Sequence, residues 1–268
     1  MRTAARRERT PVGAGPLAAV FDWPRWRLSP GRLAAAACSA AFAVALCVDL
    51  GSLWAAGALV LVETLVLLLP WRLPRTGRSV AGFWAETLCG LLAPLGAIAV
   101  ACWADAPWLR EPGAPGWYVA GAVLGGVLMW LGGMNLRALA TGELAFVAGP
   151  TRPGHGYARA TATLAGPFGE EALYRGTVLA AASTTTAALP LGLLAAAGFV
   201  ARHHISPGAN GRDSTRAMAV EVSAAASLLT LTMLSQSVYP ALLAHLINNV
   251  PSAVLQIQCA RSGRANLP

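Results

Sequence analysis

The sequence predicts an all-α, polytopic membrane helical bundle of about eight transmembrane helices, on three observations. Of 268 residues, 56% are hydrophobic and only 12% charged, with a mean hydropathy of +0.54, whereas a soluble domain carries about 25% charged residues. Apolar runs recur at the length of about 20 residues that crosses a hydrocarbon core. The loops between them are short and rich in Arg, Pro and Gly, and their arginines fall almost entirely in alternate loops, on one side of the bundle.

Taken in order, Met1 to Arg32 is an Arg/Pro-rich cytoplasmic segment without a cleavable signal design, because its first long apolar run leads straight into a second. The first span is expected from about Leu33 to Leu50, turning at Asp49, and the second from about Leu53 to Leu69, stopped by Pro70. After the basic loop Trp71 to Arg78, the third covers about Ala81 to Ala104. A Pro/Gly loop from Asp105 to Gly116 leads to the fourth, about Trp117 to Met134. These helices and loops, residues 33–159, end in a less apolar stretch from Asn135 to Arg159. The fifth span lies within about Ala160 to Ser183 and the sixth within about Ala187 to His203. The seventh follows the polar loop from Ile205 to Arg216, at about Ala217 to Leu234, and the eighth runs from Tyr239 to Ile257. Residues 160–258 form a C-terminal core, and 259–268 a cytoplasmic tail. With eight spans, every arginine outside the spans except Arg110 shares one side with both termini, and Arg202, at the end of the sixth span, is grouped with the arginines of that side. The positive-inside rule makes that side cytoplasmic, and the protein a multi-pass protein of the cell membrane.

All 20 basic residues are arginine and the formal charge is +8. The charge lies in loops between spans, so it reads as topology and not as a nucleic-acid surface. The five cysteines form no CxxC pair, which supports neither a zinc ribbon nor a disulfide framework. The Gly121-Ala122-Val123-Leu124-Gly125 element suggests close helix packing within the bundle.

Ionisable groups at bilayer depth each cost roughly 2.5–3.5 kcal/mol on insertion scales, so a cluster of them marks a functional site. Such a cluster lies in the C-terminal core: Glu170, Glu171 and Arg175, then Phe199 and His203, then His245 and Asn249. On a helix, Glu171 and Arg175 are four apart and face each other, so the guanidinium can neutralise that carboxylate. Glu170 points about 100° away and is free to act on a water. His245 and Asn249 also share a helix face, and His204 is a rival to His203. Glu63, Glu86 and Glu221 lie deep in other spans, each a lesser candidate for function or for pairing with Arg or His. An interhelical ion-pair cluster that only orients the bundle is the structural alternative.

In this order and spacing the motifs resemble the CPBP intramembrane proteases, which include type II CaaX prenyl endopeptidases and bacterial Abi-type proteins. The family pattern EExxxR, FxxxH, HxxxN falls on Glu170, Glu171 and Arg175, on Phe199 and His203, and on His245 and Asn249, with Gly176 in the place of a frequent glycine after the arginine. The resemblance implies an intramembrane endopeptidase acting on a membrane-associated protein or peptide. Glu170 would activate water, His203 would bind or polarise it, and His245 with Asn249 would stabilise the oxyanion. Glu171, Arg175 and Phe199 would support them. It leaves two cofactor readings open: a divalent metal such as zinc on Glu170, His203 and His245, or glutamate chemistry without metal, the reading preferred here. Expected partners are membrane lipid and a peptide or membrane-protein substrate, with no nucleic acid.

Rival chemistries lack their residues. No histidine starts an HExxH, the four aspartates supply no membrane-embedded pair, and no serine sits in a Gly-x-Ser-x-Gly elbow. A non-catalytic membrane scaffold or bacteriocin-immunity protein on the same fold remains the alternative function.

Overall fold

A chain crossing lipid must satisfy every backbone N–H and C=O within the segment, and the helix is the element that does so. The computed structural model describes residues 28–48, 53–69, 80–103, 106–182, 188–205 and 215–265, and every regular element among them is helical. The expected basic loop from Trp71 to Arg78, most of the N-terminal segment, Asp49, the centre of the Ile205 to Arg216 loop and the side chain of Glu86 lie outside the described residues.

The helices are α1 (Pro30–Val48), α2 (Trp54–Leu68), α3 (Val80–Trp103), α4 (Pro115–Leu131), two short helices α5 (Leu136–Ala140) and α6 (Glu143–Ala148), α7 (Pro153–Glu171), α8 (Thr177–Ala182), α9 (Ala188–Ile205), α10 (Thr215–Ser235) and α11 (Tyr239–Ala265). A π-helical turn, Ala172–Gly176, joins α7 to α8 without a break. Among the described residues, four helices are long and apolar enough to cross a membrane: α1, α3 from Phe83, α9, and α10 from Ala217. Helices α2 and α4 are apolar but shorter, at 15 and 17 residues. Two motif-bearing helices, α7 and α11, fall outside that set because their sequences mix polar and small residues into the apolar ones. The architecture is therefore an all-helical membrane bundle with four such helices.

Helix α7 lies against both α3 and α11, and α11 lies against α4, while α1 packs on α2 and α9. Small residues allow the closest approaches. A Cβ on Gly125 would stand 2.6 Å from the Ala244 carbonyl, and one on Gly121 would run into the Pro240 carbonyl, so the expected close packing is that of α4 on α11. Likewise, a Cβ on Gly169 would run into Pro94 in α3. That contact seats the C-terminal end of α7, one residue before Glu170. The apolar core gathers Phe42, Leu46, Val60, Leu173, Tyr174 and Val178 from α1, α2, the π-helical turn and α8. Leucines such as Leu65, Leu92, Leu189 and Leu193 stay exposed on the outside, where lipid is the matching solvent.

One end of the bundle is tied by Arg32. Its Nε donates to the Ile205 carbonyl at 2.6 Å, and its Nη2 to the Leu68 carbonyl at 3.3 Å. The last carbonyls of α9 and α2 lack intrahelical partners, so a buried cation at the start of α1 satisfies both. This arginine was expected in the N-terminal segment, but α1 starts at Pro30 and takes it into the fold. At the other end of the chain, α11 runs on to Ala265, past the expected start of the tail.

Candidate active site

The regular α-helix that would simply point Glu170 and Glu171 about 100° apart stops at these residues, and the π-helical turn begins at Ala172. Both carboxylates are buried, and both reach the same imidazole on α11. His245 Nδ1 lies 2.8 Å from Glu171 Oε1, and its Nε2 lies 3.8 Å from Glu170 Oε2. A carboxylate accepts, so Nδ1 carries the proton of the shorter bond. Arg175 Nη1 stands 3.4 Å from Glu171 Oε1, so the expected pairing is present. Neither Nη of Arg175 makes a hydrogen bond, however. The guanidinium instead lies 4.1 Å above the Phe199 ring, a cation–π contact that counts for most where water is excluded.

Phe199 thereby becomes a hub. Its ring meets His203 at 5.0 Å, and His245 and Tyr174 edge-on at 5.8 Å each. His203, one turn further along α9, has Nδ1 2.9 Å from the Phe199 carbonyl. A carbonyl only accepts, so Nδ1 is the protonated nitrogen and Nε2 is left with a lone pair in the neutral ring. His204 turns elsewhere, to Glu221 on α10 at 2.7 Å.

Asn249 is oriented by a proline. Pro167 lacks the N–H that would bond the Thr163 carbonyl four residues back. Asn249 Nδ2 donates to that carbonyl at 3.2 Å, and Asn248 donates to Asn249 Oδ1 at 3.2 Å. One N–H of the Asn249 amide is left over from these bonds.

Glu170 differs from expectation in having its own cation. Arg202 Nη1 lies 2.9 Å from Glu170 Oε1, so this carboxylate is anchored and not free. Arg202 had the look of a loop arginine. It stands instead in the last turn of α9 and spans two carboxylates, with its Nε donating to Glu63 Oε1 of α2 at 2.6 Å. Tyr174 donates to Glu63 Oε2 at 3.1 Å. The one signal in the sequence for this chain of contacts was Glu63 itself, an acid in the middle of an otherwise apolar helix.

Glu170, His203, His245 and Asn249 all line one cavity of about 630 Å³. Arg202 and Glu221 share its wall. Among the described residues, no three His, Cys, Asp or Glu side chains are grouped to hold a metal ion. A guanidinium 2.9 Å from the one candidate carboxylate also opposes a second cation there by direct repulsion. The donor set as placed does not fit zinc.

Residues 157–251 match the Rce1-like family, described as type II CAAX prenyl endopeptidase Rce1-like. The resemblance to the CPBP proteases carried by the motifs is thereby shown, over just over a third of the chain. At family level the matched segment is similar to that of CAAX-type intramembrane proteases. The segment starts inside α7 and ends inside α11, and it contains every motif residue named above. No curated protein and no solved structure matches the chain. Glu63 lies outside the segment.

Proposed function

We propose that the protein is an intramembrane endopeptidase that hydrolyses a peptide bond in a membrane-associated protein or peptide by a glutamate-activated water. The observation that carries this reading is the joint exposure of Glu170, His203, His245 and Asn249 to one cavity. A water held between Glu170 Oε2 and the lone pair of His203 Nε2 is aligned by two acceptors. Glu170 takes its proton as the water oxygen attacks the scissile carbonyl. The negative charge that develops on the carbonyl oxygen is met by the remaining Asn249 N–H, and by His245 when its Nε2 carries a proton beside the Nδ1–H that Glu171 locks in place. Glu170 then returns the proton to the leaving amine. Burial of Glu170 and His245 limits bulk water around them and strengthens their interactions.

The test uses the purified protein in lipid vesicles, incubated with membrane proteins of its own host, with new N-termini read by mass spectrometry. Wild type is expected to generate discrete new termini and Glu170→Gln none. Identical termini from both would sink the assignment.

The finer topology belongs to the same reading. We infer eight crossings with both termini cytoplasmic, because the arginines segregate and because Arg32 draws the C-terminal ends of α2 and α9 to the start of α1. Reporter fusions after Arg78 and after Arg264 are expected to report the cytoplasm. A signal from the opposite side at either point overturns this topology.

A further inference from the structure

The chain of contacts from α2 to Glu170 has no place in the motif set. Glu63 is 3% exposed in an apolar helix, where an ionisable residue is retained only with a partner. It has two: Arg202 Nε at 2.6 Å on Oε1 and the Tyr174 hydroxyl at 3.1 Å on Oε2. Both carboxylate oxygens are used, so Glu63 has a defined orientation. Arg202 passes that orientation on, because its fork presents Nε to Glu63 and Nη1 to Glu170 Oε1 at 2.9 Å. With Oε1 committed to Arg202, Glu170 turns Oε2 towards His245 and the cavity.

We propose that Glu63 and Arg202 are positioning residues that hold Glu170 in the rotamer needed to activate water, so that α2, outside the Rce1-like segment, completes the site. The inference rests on the catalytic reading of Glu170 given above. Arg202 is suited to the task where lysine is not: a planar fork fixes two carboxylates relative to each other, whereas an ammonium carries charge without direction. The plain alternative is that Arg202 only neutralises buried acids. Under that alternative any cation serves, and loss of activity follows loss of folded protein.

The experiment measures kcat, KM and melting temperature for Glu63→Gln, Arg202→Lys and Arg202→Ala in vesicles, on a peptide derived from a cleavage site found with wild type. Glu170→Gln is run beside them. Misplacing a catalytic group by about 1 Å costs on the order of 100-fold in rate. Glu63→Gln is therefore expected to lower kcat about 10–100-fold with KM and melting temperature near wild type, since the amide still accepts from Arg202 or Tyr174. Arg202→Lys is expected to fold and to lose as much kcat. Ethylguanidinium in solution is expected to restore part of the Arg202→Ala activity, and ethylammonium none. Wild-type kcat in Glu63→Gln, or in Arg202→Lys, overturns the proposal, as does equal rescue by both cations. If Arg202→Ala does not fold, the other two variants decide. An inactive Glu170→Gln beside a fully active Glu63→Gln refutes the positioning role alone. An active Glu170→Gln refutes the catalytic reading as well.

Discussion

Replacing Glu171 by Gln tests the electrostatic centre most directly, because it removes a charge and leaves shape and hydrogen bonding nearly intact. Glu171 is 1% exposed, and its Oε1 both accepts from His245 Nδ1 at 2.8 Å and faces Arg175 Nη1 at 3.4 Å. The amide oxygen of Gln can still accept from His245. What disappears is the carboxylate paired with Arg175 among the described residues, a guanidinium 1% exposed whose Nη groups make no hydrogen bond there. Stranding a buried charge in this way costs about 3–5 kcal/mol. At about 2–4 °C per kcal/mol for a chain of this size, the melting temperature should fall by about 6–20 °C. Removing the stranded cation as well relieves the penalty, so Glu171→Gln with Arg175→Met should recover at least half of the loss. The assay is thermal unfolding of detergent-extracted protein for wild type, the single variant and the double variant. A single variant that melts with wild type, or a double variant that melts no higher than the single, refutes the claim that Glu171 compensates Arg175.

Two further outcomes follow from the same geometry. Asn249→Leu leaves the Thr163 carbonyl without a donor at a cost of about 1–3 kcal/mol, and Pro167→Ala in that background supplies a backbone N–H for it. The double variant should therefore melt higher than Asn249→Leu alone, and equal melting would refute the proline account. Since the donors do not fit zinc, a chelator should leave cleavage by the purified protein unchanged; inhibition reversed by added zinc would overturn that conclusion.

The fold class and the three motifs were legible because each depends on local spacing. An ion pair four residues apart, a histidine one turn after a phenylalanine and two glycines four apart all have a meaning on any helix. The structure places Glu171 against Arg175, His203 beside Phe199, and Gly121 and Gly125 against α11. The Glu63–Arg202 pair was not legible, because its partners are 139 residues apart and no local rule joins them. Arg202 also imitated its neighbours, standing at a span end like the arginines that mark topology. The freedom assigned to Glu170 failed for the same reason. A helical wheel knows the arginine on its own helix and nothing of one arriving from another. His203 and His204 could not be separated in sequence, and Glu221 on α10 separates them in space.

The π-helical turn at Ala172–Gly176 has a consequence for how this segment tolerates change. A π turn carries one residue more than the α turn it replaces, and one residue is about 100° of rotation on a helix. The turn therefore acts as a phase shifter between two stretches with different obligations. Upstream, Glu170 and Glu171 must look towards α11. Downstream, Val178 and Leu179 must look into the apolar core. A straight α-helix with one fewer residue would satisfy one face and turn the other away. Deletions here should thus be far less tolerated than substitutions, and Gly176 shows how little room is spare, since a Cβ there would stand 2.6 Å from the Trp108 ring.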